Sequence, residues 1–133
     1  MNFEHSERAQ IVLEQVERFT RERIVPNEAT YRDQLTGSDD WRQWRVAPVG
    51  EDLKAQAKEL GLWNLFLPDE PHGVGLTNRD YAPVAEATGR SFLAPEVFNC
   101  AAPDTGNAEV LVQYGSDLQK EQWLLPLLDG EIR

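Results

Sequence analysis

The sequence predicts an all-α domain, an irregular bundle of six or seven short helices, and three observations carry that prediction. Apolar residues recur at intervals of three and four along most of the chain, the period of a helix with one buried face. Serine and threonine start signals and glycine stop signals punctuate those stretches. A single short run, Leu62 to Leu67, could form a strand, and no second strand pattern lies near enough to pair with it.

The elements follow in order. Ala9, Val12, Leu13, Val16 and Phe19 share one face of a first helix, while Glu14, Glu17, Arg18 and Arg21 occupy the other. Ser6 can cap it, Glu7 suits its first turn, and Pro26 bends or interrupts it. Gly37-Ser38-Asp39-Asp40 reads as a turn. Trp41 and Trp44 then share a face of a short helix, and an anchoring or core role outweighs ligand stacking because indoles are large hydrophobes first.

Val49, Leu53, Ala57 and Leu60 mark the inner face of the next helix, with Gly61 at a left-handed stop. Leu62 to Leu67 reads as extended coil buried between helices. Thr77 and Asp80 form a capping box for a helix that turns Tyr81, Val84, Ala85 and Thr88 inward, with Pro83 expected to kink it. Pro95 opens another helix, expected to end near Pro103. Asp104 or Thr105 caps its successor, which Gly115 stops. Ser116 and Gln119 form a second capping box, and the last helix runs to about Asp129 before Gly130.

Composition excludes several function classes. A chain of 133 residues suits one domain and can bury roughly two-thirds of its unfolded surface. A formal charge of −10 repels phosphate backbones, so no nucleic acid partner is expected, and it argues against this chain supplying much of a site for an anionic coenzyme. Cys100 is the sole cysteine, which excludes an intrachain disulfide and disfavours a thiolate metal site. The start, Met1-Asn-Phe-Glu-His-Ser-Glu, lacks the features of a secretory signal, and no apolar run approaches the ~20 residues of a membrane span. A cytoplasmic bacterial protein fits these traits best.

The familiar catalytic groupings are absent. His5 and His72 are distant from one another, and neither lies by a serine or cysteine that suggests a nucleophile and base. Glu51-Asp52 and Asp39-Asp40 are adjacent carboxylates whose side chains diverge. Gly73-Val74-Gly75 lacks the third glycine and the preceding strand of a dinucleotide loop, and no metal-ligand spacing occurs.

Three segments in fixed order carry a family resemblance. The first is Leu60-Gly61-Leu62-Trp63-Asn64-Leu65-Phe66-Leu67-Pro68 followed by Gly73-Val74-Gly75-Leu76-Thr77. The second is Tyr81-Ala82-Pro83-Val84-Ala85-Glu86-Ala87-Thr88-Gly89-Arg90-Ser91. The third is the stretch from Asn99 to Arg133, with Gly115, Gln119-Lys120 and Leu127-Leu128-Asp129-Gly130. Together they resemble the N-terminal helical domain of the acyl-CoA dehydrogenases, clearly from Pro48 to Arg133 and by a similar first helix from Ser6 to Gln34. The wording Asn-Cys-Ala-Ala-Pro-Asp-Thr-Gly-Asn is most similar to the subgroup related to phosphotransferase-fused enzymes acting on long or hydroxylated acyl groups.

The resemblance implies residues 1–133 as that one domain, ending where the family's β-domain would begin. It implies an FAD-dependent enzyme that takes a proton from Cα and a hydride from Cβ of an acyl-CoA, with its glutamate base in a C-terminal helical domain. This chain alone would then hold little or no FAD and be inactive. Its share would be a wall of the acyl-chain pocket, carried over onto Phe98, Asn99, Ala102 and Gly106. Small Ala102 and Gly106 leave volume and Phe98 supplies apolar surface, while Asn99 either caps a turn or bonds a polar group on an oxygenated acyl chain.

Implied partners are acyl-CoA, the β- and C-terminal helical domains or another flavoprotein chain, and further copies of itself. Trp123, Leu124 and Leu127 are candidates for exposed apolar contact residues. A small separate subunit and a non-catalytic helical interaction module are the alternative readings.

Overall fold

A computed structural model describes residues 4–35, 40–68 and 71–132, and the described residues contain helices and no strand. The helices are α1 (Glu7–Phe19), α2 (Glu28–Leu35), α3 (Pro48–Glu59), α4 (Asn78–Thr88), α5 (Ala94–Val97), α6 (Asp104–Tyr114), α7 (Asp117–Gln119) and α8 (Leu125–Asp129). α1 and α2 are joined without a break, as are α7 and α8, so the described chain runs in six helical segments plus a 3-10 turn at Trp41–Gln43. No described helix is long and apolar enough to cross a membrane.

Both joined segments accommodate a proline by the same device. A π turn, Thr20–Ile24, precedes Pro26, and a second, Lys120–Leu124, precedes Pro126. In each the residue before the proline donates five residues back, Val25 to Thr20 and Leu125 to Lys120. The widened turn makes room for a ring that offers no N–H of its own. Pro26 therefore changes the helix type without ending the helix. α4 likewise continues through Pro83.

Start signals are met where they are local. Ser6 Oγ accepts from the Ala9 N–H at 3.2 Å. Ser116 and Gln119 exchange both bonds of a capping box. At α4 the box is half made: Thr77 Oγ1 accepts from the Asp80 N–H at 3.2 Å, but the Asp80 carboxylate accepts from the Ser6 N–H at 3.0 Å and the Thr77 hydroxyl at 3.1 Å. Asp80 thereby fastens the start of α1 to the start of α4, and α1 packs chiefly on α4. Neither Asp104 nor Thr105 caps α6; Pro103 holds the cap position, and Asp104 is the buried first residue of the helix.

The Ser6 amide bond, then the Thr77 hydroxyl and the Arg79 charge, hold the Asp80 pKa below the ordinary carboxylate value, against an opposing effect of burial. A depressed folded pKa means stability that is present above the unfolded value of about 3.9 and is lost as pH falls through the folded value. Asp80→Asn should thus be less stable than the parent by a constant margin from about pH 7 to pH 5, with the margin closing under stronger acid. Urea unfolding across that range measures it, and a margin unchanged at about pH 3 would attribute the effect to shape instead of charge.

Three helices stop on a left-handed residue. Gly61 (φ 71°) ends α3 and Gly130 (φ 73°) ends α8, as glycine allows. α5 ends at Val97, far short of the expected Pro103, because Asn99 (φ 52°) takes the same conformation. The Asn99 N–H donates to Glu96 O at 3.0 Å and the Cys100 N–H to Pro95 O at 2.7 Å, closing the paired bonds of a helix stop.

The core lies in two clusters. The first gathers Val16, Phe19, Leu53, Leu65, Val84 and Phe98 among others from α1, α3, α4, the end of α5 and the coil before α4; the second gathers Phe66, Leu67, Ala108, Leu124, Leu127 and Leu128 around α6 and α8. Leu62–Leu67 is buried coil, and it sends Leu62 and Leu65 into the first cluster and Phe66 and Leu67 into the second. Tyr81 and Cys100 pack against both.

Several burial expectations are corrected. Leu60 is exposed, since it lies at the helix stop, past the inward face of α3. Leu124 and Leu127 are core residues, because α6 covers them, and Trp123 alone of that trio is exposed. Trp41 and Trp44 are both exposed and belong to no core cluster, which removes the core half of the surface-anchoring or core expectation. Of the Gly37 to Asp40 turn, the first three residues lie outside the described residues, and Asp40 caps the 3-10 turn through the Arg42 N–H.

Candidate functional site

The four residues expected at an acyl-chain wall lie in the connection from α5 to α6, and the stop at Asn99 divides them. Phe98 and Asn99 point into the domain; Ala102 and Gly106 are on its surface. The Phe98 ring is wholly buried and packs on Phe19 with centroids 5.7 Å apart. An ideal Cβ on Gly106 would meet nothing within 4 Å, so this turn of α6 faces open space.

Asn99 belongs to a polar knot that closes the C-terminal end of α8. Its Nδ2 donates to Asn64 Oδ1 at 2.7 Å and approaches the carbonyls of Leu127 and Leu128 at 3.3 and 3.4 Å. Asn64, also left-handed at φ 55°, donates through Nδ2 to Leu128 O at 3.0 Å, and its N–H donates to Phe98 O at 3.1 Å. Trp63 Nε1 adds a bond to Leu128 O at 2.7 Å, and Lys58 Nζ donates to Asp129 O while lying 4.5 Å from the Trp63 ring centre. The free carbonyls of a helix end need donors and favour a cation, and here both are supplied. The asparagine amide is thus engaged internally.

Beside α6 a groove of about 320 Å³ is lined by Phe66, Asn78, Tyr81, Cys100, Thr105 and Glu109. Burial raises the Tyr81 pKa, with the neighbouring Cys100 adding to it, and burial likewise raises that of Cys100. Cys100 Sγ lies 3.2 Å from Phe98 O. A thiol and a phenol held protonated in this way are packing groups and not activated nucleophiles. None of the four expected wall residues lines this groove.

The Gly73-Val74-Gly75 loop packs closely on the buried coil. A Cβ on Gly73 would lie 2.0 Å from Leu67 O, so the missing side chain serves close packing of the loop on the buried coil. No group of three or more metal-ligating side chains gathers among the described residues.

The described residues form an all-helical domain whose α5–α6 connection is exposed at Ala102 and Gly106. Residues 6–131 match the model of the family described as acyl-CoA dehydrogenase, N-terminal domain, and the chain belongs to that family. It is 50% identical over 133 residues to "Acyl-CoA dehydrogenase family member 11" of Rattus norvegicus, covering 98% of this chain and 16% of that protein. It is 51% identical over 118 residues to "Probable acyl-CoA dehydrogenase FadE2" of Mycobacterium tuberculosis (strain ATCC 25618 / H37Rv), covering 86% of this chain and 28% of that protein. A solved structure of a candidate acyl-CoA dehydrogenase from Mycobacterium abscessus superposes with a TM-score of 0.90 at 48% identity, over 98% of this chain and 33% of that one. The chain therefore spans a third or less of the length of these relatives.

Proposed function

We propose that this chain is the N-terminal domain, residues 1–133, of an FAD-dependent acyl-CoA dehydrogenase acting in the bacterial cytoplasm, and that it walls the acyl-chain pocket. The family match over residues 6–131 carries the reading. FAD bound in the complete enzyme would supply the hydride-accepting chemistry at Cβ of the acyl thioester. The base and the principal flavin contacts belong to the β- and C-terminal helical domains, so the isolated chain binds little FAD and turns over no acyl-CoA.

Within this reading the four wall residues have separate tasks. Ala102 and Gly106, exposed and small, leave room for the acyl chain. Phe98 and Asn99 stand behind them and hold the connection in place through the core and the knot on α8.

The test is a fusion of this chain to the part of the Mycobacterium abscessus relative outside the match. The fusion is expected to reduce an electron acceptor when given acyl-CoA. Gly106→Ala should stabilise the isolated chain by up to about 1 kcal/mol, since glycine is a poor helix residue and the added Cβ meets nothing within 4 Å. Gly106→Phe should lower kcat/KM of the fusion for long acyl chains by about tenfold relative to short ones, the scale of a few lost methylene contacts. Equal loss for both lengths would remove Gly106 from the wall.

A further inference from the structure

A groove of about 350 Å³ lies between the end of α1 and the end of α3, and none of the four acyl-wall residues lines it. Its floor is apolar, with Phe19 6% and Leu62 2% exposed. Its walls are charged: Arg18, Glu22 and Arg23 come from the α1 side and Glu59 from the α3 side. An apolar floor with a few polar groups around it is the make-up of a small-molecule site.

The pair of arginines is a product of the π turn. Arg18 and Arg23 are five positions apart, which an unbroken α-helix would set about 140° from one another. The extra residue in the turn at Thr20–Ile24 rotates the later position back toward the earlier one, so both guanidinium groups line one groove.

The charges on the two walls do not meet. Glu22 is held by Arg21 at 3.1 Å, whereas the side chains of Arg18, Arg23 and Glu59 enter no ion pair among the described residues. Glu59 is the last residue of α3, at the carbonyl end of the helix, where a cation is favoured and an anion is not. Its neighbour Lys58 donates to Asp129 O. Two guanidinium groups on one wall therefore stand across an apolar floor from a carboxylate that lacks a positive partner.

We propose that this groove binds a small zwitterion with an apolar body, an α-amino acid of about the size of leucine. Its carboxylate lies on Arg18 and Arg23 in charge-assisted bonds, its ammonium on Glu59, and its side chain on Phe19 and Leu62. A simple anion would leave Glu59 unmatched, and a simple cation would leave both arginines so. The site stands apart from the acyl-chain wall and does not depend on the reading given under Proposed function.

Titration of the 133-residue chain with L-leucine, followed by NMR chemical shifts, tests it. Saturable shifts around the groove are expected, with a Kd of about 1 mM or below. Arg18→Gln combined with Arg23→Gln, and separately Glu59→Gln, should each weaken binding about tenfold or more. Arg8→Gln, exposed and outside the groove, should not. Arg18, Arg23 and Glu59 are all exposed, so the urea midpoints of these variants should match the parent and separate lost binding from lost folding. Two half-ligands complete the test: 4-methylpentanoate lacks the ammonium, 3-methylbutylamine lacks the carboxylate, and each should bind about tenfold or more weakly than leucine. No saturation by about 10 mM leucine would overturn the proposal. So would a half-ligand that binds as tightly as leucine, or leucine affinity that is unchanged in the charge variants.

Discussion

Asn99→Asp is expected to destabilise the domain by about 3 kcal/mol or more at neutral pH, out of proportion to a change of one atom. The native Nδ2 faces Asn64 Oδ1 and two helix-end carbonyls, all of them acceptors, within 2.7 to 3.4 Å. The oxygen that takes the place of Nδ2 meets those three oxygens, and the side chain is buried. The introduced group must stay charged without a donor or take a proton well above its ordinary pKa, at about 1.4 kcal/mol for every tenfold change in proton affinity. Its folded pKa is then raised above the unfolded one, so the deficit relative to the parent should shrink as pH falls through the raised value, because the protonated form can donate to Asn64.

Two companions separate charge from backbone. Asn99→Gly keeps the left-handed conformation and loses only the side-chain bonds, at about 1–3 kcal/mol. Asn99→Ala adds the cost of a β-carbon in that conformation, about 1–2 kcal/mol more. The expected order of loss between these two is therefore Ala, then Gly, read from urea midpoints, while the aspartate is told apart by the pH dependence of its loss. A glycine variant less stable than the alanine one would mean that φ at this position is not what the structure describes.

The same knot explains what the sequence could and could not disclose. The all-helical class, the caps at Ser6 and Ser116 and the stops at Gly61 and Gly130 are legible because each is decided within a few residues. The stop at Asn99 is decided elsewhere: nothing near it forbids a helix as far as Pro103, and its left-handed conformation is held by Asn64 and by α8. Asparagine visits that conformation more readily than other side chains, which is the one available signal. Asp80 is legible as a cap but not as the partner of Ser6, 74 positions away. For the candidate site, family spacing puts four residues together, whereas the turn at Asn99 sends two inward and two outward. The burial of Leu124 and Leu127 is hidden for a similar reason, since it depends on α6 lying across them.

Phe98→Ala is expected to cost about 3–5 kcal/mol, the range for deleting a fully buried aromatic side chain. The ring is 0% exposed and lies tilted against Phe19, so its removal leaves a void between α1 and α5. The backbone around it has little freedom to fill that void, because Phe98 O accepts the Asn64 N–H at 3.1 Å and the Phe98 N–H is bonded to Ala94 O. A rigid surround is what turns a lost side chain into a lasting cavity. Phe98→Leu, which keeps most of the volume, should cost about 1.5 kcal/mol or less. If the alanine variant lost under about 1 kcal/mol in urea unfolding, the ring could not be holding the core. The expected large loss instead makes Phe98 the buried base against which Asn99 turns the chain outward.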